Sequence, residues 1–213
     1  MSGIYCFGDS ITRGENDLLH GGWADRLKAF YLRQYCRDGD EERCVYNLGI
    51  GGETTAGLRR RFLPELQARL DPDGRSVASF AYGANDAAGT GKSFVVPIAE
   101  YIKNLSYCID AAKKMGCEVF LLNITPVSDV VDGARKPNGR LRKNLFIRRY
   151  NEALRGLALE NDAVLVDVHS DFVTYKRTAL FAPDGVHPNA AGHALIYRAV
   201  KKQLEIRKVL KSS

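Results

Sequence analysis

Ile4-Tyr5-Cys6-Phe7-Gly8-Asp9-Ser10 opens on four apolar residues in succession and breaks at a glycine. A short uninterrupted apolar run stopped by Gly8 reads as a strand buried on both faces. Four similar runs follow, over residues 44–48, 76–82, 118–124 and 164–168. Helical periodicity fills the intervals. Trp23, Leu27, Phe30 and Tyr31 mark a helix over 23–35, and a second covers about 55–70. Ile98, Ile102, Leu105 and Ile109 form the stripe of a helix over 97–115, closed by Gly116, and helices over 144–160 and 189–208 complete the set. Asp71-Pro72-Asp73-Gly74 is a turn.

Strands and helices alternate with no linker rich in Pro, Ser or Gly, which predicts a single domain over 1–213. The expected architecture is a three-layer α/β/α sandwich of flavodoxin-like type around a five-stranded parallel sheet. Ligands bind such sheets at the carboxyl ends of the strands, so a functional residue should fall just after a strand.

Composition agrees with this reading and narrows the function classes. The 213 residues are 45% hydrophobic and 26% charged, which excludes disorder, collagen-like repeats and coiled coil. No apolar run approaches the ~20 residues that would span a bilayer. Residues 1–7 lack the basic region and long apolar stretch of a signal peptide, so a cytoplasmic location is expected. The five cysteines are odd in number and never spaced C-x-x-C, which predicts reduced thiols rather than disulfides or a thiolate zinc site. The net charge of +6 is uneven. Between Asp129 and Arg149, seven bases (Arg135, Lys136, Arg140, Arg142, Lys143, Arg148, Arg149) face two acids, Asp129 and Asp132. Without interleaved aromatic residues to stack bases, this segment reads as a solvated basic loop entering a helix, and no nucleic-acid partner is expected.

Two glycine-rich stretches invite a phosphate-binding reading, and both depart from the pattern. Gly49-Ile50-Gly51-Gly52-Glu53-Thr54 ends on Thr54 where a dinucleotide fingerprint needs its last glycine. In Asp86-Ala87-Ala88-Gly89-Thr90-Gly91-Lys92-Ser93 an aspartate takes the first glycine position of a P-loop, and the following Phe94-Val95-Val96-Pro97 does not begin a helix. His20, His169 and His193 have no metal-ligand spacing, so no metal is expected, and His193 on the last helix reads as structural.

Gly8-Asp9-Ser10 is different, because it exposes a hydroxyl at the carboxyl end of the first strand. A histidine becomes a base toward such a serine when a carboxylate fixes its tautomer and stabilises the imidazolium. Asp184-Gly185-Val186-His187-Pro188 makes that pair within one turn. Acyl transfer also needs N–H donors for the developing oxyanion. Gly52 after the second strand offers a backbone N–H, and Asn85 after the third offers a side-chain amide.

These blocks together resemble the SGNH hydrolases, also called the GDSL esterase/lipase family. Gly8-Asp9-Ser10-Ile11-Thr12-Arg13-Gly14, Asn47-Leu48-Gly49-Ile50-Gly51-Gly52, Gly83-Ala84-Asn85-Asp86 and Asp184-Gly185-Val186-His187-Pro188 occur in the family's order, from residue 4 to about 200. Ile11 stands for the leucine of the GDSL name, and the G-x-S-x-G elbow of the α/β-hydrolases is absent. The resemblance implies a serine ester hydrolase without metal or organic cofactor. Ser10 would be the nucleophile, His187 the base and Asp184 its orienting acid, with Ser10, Gly52 and Asn85 as the oxyanion hole. It also implies that Asp9 supports the nucleophile's turn, while Asp86 reads as a cap or loop anchor. The expected partner is a small-molecule ester, small or soluble, and the basic segment would favour an acidic or phosphorylated one. Two alternatives stand beside this: an acyltransferase using the same acyl-serine chemistry, and a non-catalytic phosphate- or nucleotide-binding module.

Overall fold

A computed structural model describes residues 2–39, 41–89, 93–135, 139–175 and 177–207. Its five strands, β1 (Ser2–Gly8), β2 (Arg43–Gly49), β3 (Ser76–Ala81), β4 (Cys117–Leu122) and β5 (Val164–Val166), form one parallel sheet in the order β2-β1-β3-β4-β5. This is the flavodoxin-like order, whose direction of progression reverses between β1 and β3.

The pleat sorts the apolar residues of the strands onto two faces. Tyr5 and Phe7 of β1 point to one layer, where they meet α3 (Thr55–Gln67), α4 (Ile98–Lys114) and α5 (Asn144–Glu160) through Phe62, Leu105, Tyr150 and Leu154. Ile4 and Cys6 point to the other, against α2 (Trp23–Asp38) and α7 (Ala190–Ile206) through Trp23, Leu27, Ile196 and Val200. Both faces of the sheet are therefore covered, as its continuous apolar strands require.

Three short elements interrupt the expected alternation. α1 (Ser10–Arg13) is a four-residue helix directly after β1. β5 ends at Val166, short of the expected 168, because Asp167 turns the chain and caps α6 (Val168–Thr174), its carboxylate accepting from the Ser170 N–H at 3.0 Å. A 3₁₀ turn (Arg177–Leu180) follows, so the Asp184–His187 turn does not leave the last strand directly. The expected end of the last helix at Lys208 lies outside the described residues.

Register sets the site's location. Gly8 of β1 pairs with Gly49 of β2 and with Ala81 of β3, so these three strands end level with one another. Ser10, Gly52 and Asn85, each a few residues further on, share one edge, and two of them flank the point where the strand order reverses.

Candidate active site

Ser10 occupies the first position of α1. Asp9 caps this turn, its Oδ1 accepting from the Ile11 N–H at 2.9 Å, and Gly14 closes it in a left-handed conformation. The turn lies hard against the end of β2. A Cβ on Gly49 would stand 2.2 Å from the Arg13 nitrogen, so only glycine permits this approach. The Ser10 N–H, at the head of a helical turn, makes no hydrogen bond among the described residues.

Ser10 Oγ lies 2.8 Å from His187 Nε2, and His187 Nδ1 lies 2.5 Å from Asp184 Oδ2. A carboxylate only accepts, so the proton sits on Nδ1, and Nε2 is left to accept from the serine hydroxyl. The turn carrying both groups is internally tied: Asp184 Oδ1 accepts from the Val186 and His187 N–H groups, at 2.9 and 3.0 Å. Gly185, at φ +66°, has no room for a side chain, since a Cβ would meet Ser128 Oγ at 2.4 Å. Burial pushes the Asp184 carboxyl up, but the hydrogen bonds from the His187 ring and the two N–H groups outweigh it and hold the group below the usual carboxylate range.

The candidate donors follow the two neighbouring strands. Gly52 is exposed on the loop after β2 with φ +76°, and its N–H makes no hydrogen bond among the described residues. Asn85 is buried after β3, and its Nδ2 donates to the Glu53 carbonyl at 3.1 Å and, at a longer 3.4 Å, to Asp9 Oδ2.

Two features of the site lay beyond the sequence reading. Glu53, next to Gly52, pairs with Arg61 of α3 through Nε (3.0 Å) and Nη2 (2.6 Å), and Tyr82 donates to it at 2.7 Å. Arg61 also donates to the Leu48 carbonyl at 2.7 Å, so the loop bearing Gly52 is fastened at both ends. Arg142, read as one charge of the basic segment, donates from Nη2 to Asn85 Oδ1 at 3.0 Å. Lys136 of that segment lies outside the described residues.

The remaining sequence candidates are accounted for locally. Asp86 accepts from the Thr55 N–H (2.9 Å) and hydroxyl (2.5 Å), which anchors the start of α3. Its carboxyl is pushed up to about 6, chiefly by burial. His193 is fully buried and donates from Nε2 to the Glu15 carbonyl at 2.9 Å, a structural placement. Gly89 exchanges backbone hydrogen bonds with Leu141, and among the described residues that follow it no helix begins before Ile98, so residues 86–89 do not make a P-loop; residues 90–92 lie outside the described residues.

A family model for the GDSL-like Lipase/Acylhydrolase family matches residues 6–195. The chain belongs to this family. Membership carries the enzyme class with it, a carboxylic ester hydrolase. This GDSL-like hydrolase is 26% identical over 223 residues to the uncharacterized lipoprotein YqeF of Bacillus subtilis (strain 168), a match covering 93% of the chain and 87% of that protein. Its fold is shared with a member of the lipolytic G-D-S-L family from Veillonella parvula DSM 2008, at TM-score 0.72 and 22% identity, covering 95% of this chain and 97% of the other. The acetylxylan esterase Axe2 of Geobacillus stearothermophilus shares it at TM-score 0.70 and 21% identity, over 99% of this chain and 94% of Axe2. Among the described residues, no helix of the GDSL-like hydrolase is long and apolar enough to cross a membrane.

Proposed function

We propose that the chain hydrolyses carboxylic esters through an acyl-serine intermediate, with Ser10 as nucleophile, His187 as general base and acid, and Asp184 as the group that orients it. The observation carrying this reading is the two-step hydrogen-bonded chain from Ser10 through His187 to Asp184.

In the first step Ser10 Oγ bonds to the acyl carbon while its proton passes to His187 Nε2. The carbonyl oxygen takes the negative charge and accepts from the N–H groups of Ser10 and Gly52 and from the Asn85 amide. Collapse breaks the bond to the alcohol, which leaves with the proton from His187. Water then attacks the acyl-serine by the same proton route and returns the free hydroxyl. Asp184 stays ionised throughout, consistent with a carboxyl held below its usual range. No step in this cycle calls on a metal or an organic cofactor.

The substrate is a small or soluble ester. The acetylxylan esterase among the structural neighbours, a protein acting on acetyl esters, supports a short acyl group. The five cysteines are thiols rather than disulfide halves, which supports action in a reducing compartment such as the cytoplasm.

The test is hydrolysis of p-nitrophenyl acetate and butyrate by the wild type beside Ser10→Ala, with intact mass after fluorophosphonate treatment. Turnover lost in the variant, with one adduct on Ser10, is the expected result. A folded wild type that neither turns over nor takes the label overturns the proposal.

A further inference from the structure

Arg142 meets the amide oxygen of Asn85, the end opposite the N–H groups of that candidate oxyanion donor. Its backbone is held in place on both sides: Leu141 exchanges hydrogen bonds with Gly89 at 2.8 and 3.0 Å, and the Arg142 carbonyl accepts from Gly133 N–H at 2.8 Å. Arg142 lines a small recess together with Val131, Ala134 and Val186. Its charged neighbours are Arg140, which repels it, and Asp9 and Asp184, which attract it. Its Nε is buried with no hydrogen-bond partner among the described residues, while Nη2 donates to Asn85 Oδ1 at 3.0 Å.

A guanidinium has donors and no acceptor, so the atom that Asn85 turns toward it must be the amide oxygen. The amide nitrogen then faces the Glu53 carbonyl and Asp9, on the edge that carries Ser10. A cationic donor on the amide oxygen also draws electron density from the nitrogen and strengthens its N–H groups as donors. A full positive charge thus stands one hydrogen bond behind the place where negative charge would develop. We propose that Arg142 is a positioning residue, which orients and polarises Asn85 for oxyanion stabilisation in ester hydrolysis. This rests on the serine-hydrolase reading above.

The experiment is a double-mutant cycle on a neutral ester, p-nitrophenyl acetate, and on an anionic ester of similar size. It compares the wild type, Arg142→Met, Asn85→Ala and the double variant. Arg142→Met is expected to lower kcat roughly 10- to 100-fold on both esters, with KM for the neutral one within about 2-fold. In the Asn85→Ala background the same change should cost less than about 3-fold, since the group it acts through is gone. Arg142→Lys should recover part of the loss and Arg142→Gln less; this pair separates charge from shape should Arg142→Met fail to fold. An equal factor in both backgrounds overturns the proposal, as does a kcat unchanged by Arg142→Met. A loss confined to KM of the anionic ester overturns it too, making Arg142 a substrate contact. A wild type that is inert and unlabelled on Ser10 fells the hydrolase reading and this proposal together, whereas an active wild type with an additive cycle fells only the second.

Discussion

The Asn85 amide donates to the carbonyl of Glu53, the residue after Gly52, at 3.1 Å. Asn85, the candidate side-chain donor after β3, is thereby tied to the loop that carries Gly52, the candidate backbone donor after β2, before any substrate arrives. Preorganisation of this kind is what makes a donor effective, because no dipole has to turn during the reaction.

Asn85→Ala removes one donor and leaves the nucleophile untouched. We expect kcat to fall about 10²- to 10³-fold, with a small change in KM, by the measure of oxyanion donors elsewhere. Fluorophosphonate should still label Ser10, more slowly. A kcat within a few-fold of wild type would remove Asn85 from the oxyanion role.

Asp184→Asn should keep the turn and spoil the tautomer. The new Oδ1 can still accept from the Val186 and His187 N–H groups, but an amide N–H facing Nδ1 forces the ring proton onto Nε2, which then cannot receive a proton from Ser10. The Asp184 side chain is 36% exposed, so water can soften the effect, and a loss of about 10²- to 10³-fold in kcat is expected. Steady-state kinetics with circular dichroism of the same sample checks it.

Arg61→Met leaves Glu53 charged, 10% exposed and without its partner. Breaking a buried pair from one side costs about 3–5 kcal/mol, and a urea-unfolding midpoint would read it. Adding Glu53→Gln should return part of that loss, since the stranded charge is then gone. If the single variant costs under about 1 kcal/mol, the pair is not what holds the loop.

Asp86 makes stability depend on pH. Its folded pKa of about 6 lies above the ordinary value for an unfolded aspartate, with burial as the main cause. Between these values the native state binds the proton more tightly than the unfolded chain does. The stabilisation is therefore complete below the unfolded pKa and is lost as pH rises through about 6. Asp86→Asn has no such titration and keeps an oxygen for Thr55. Its stability relative to wild type should improve from pH 4 to pH 7 by on the order of 2–3 kcal/mol. An identical difference at the two pH values would show that Asp86 does not titrate in this window.

The sheet was legible in the sequence because each strand is covered on both faces and reads as an apolar run. Ser10, Gly52 and Asn85 could be named as candidates because they follow strand ends, where a parallel sheet gathers side chains distant in sequence. Asp184 and His187, which lie beyond α6 and a 3₁₀ turn, were marked instead by their spacing within one turn. α1 and α6, with four and seven residues, are too short to show a helical period, so the hydrophobic pattern passed over them. Val168 was drawn into the preceding strand for that reason, although it begins α6. Arg142 escaped for another. Its partner lies 57 positions away, and nothing in a run of basic residues marks which one turns inward. Glu53, Arg61 and Tyr82 were likewise ordinary members of a loop, a helix and a strand end until the fold closed them on each other.

Ser10 and His187 are 177 positions apart, and the hydrogen bond between them joins the first strand to the approach of the last helix. Ser10 is made 177 residues before His187, so over that stretch of synthesis the hydroxyl lacks this neighbour. On the mechanism proposed above, a chain that stops short of His187 holds an inert serine. On the same mechanism, labelling of Ser10 by a fluorophosphonate would count only those molecules that had closed the whole circuit, a stoichiometric gauge of finished folding.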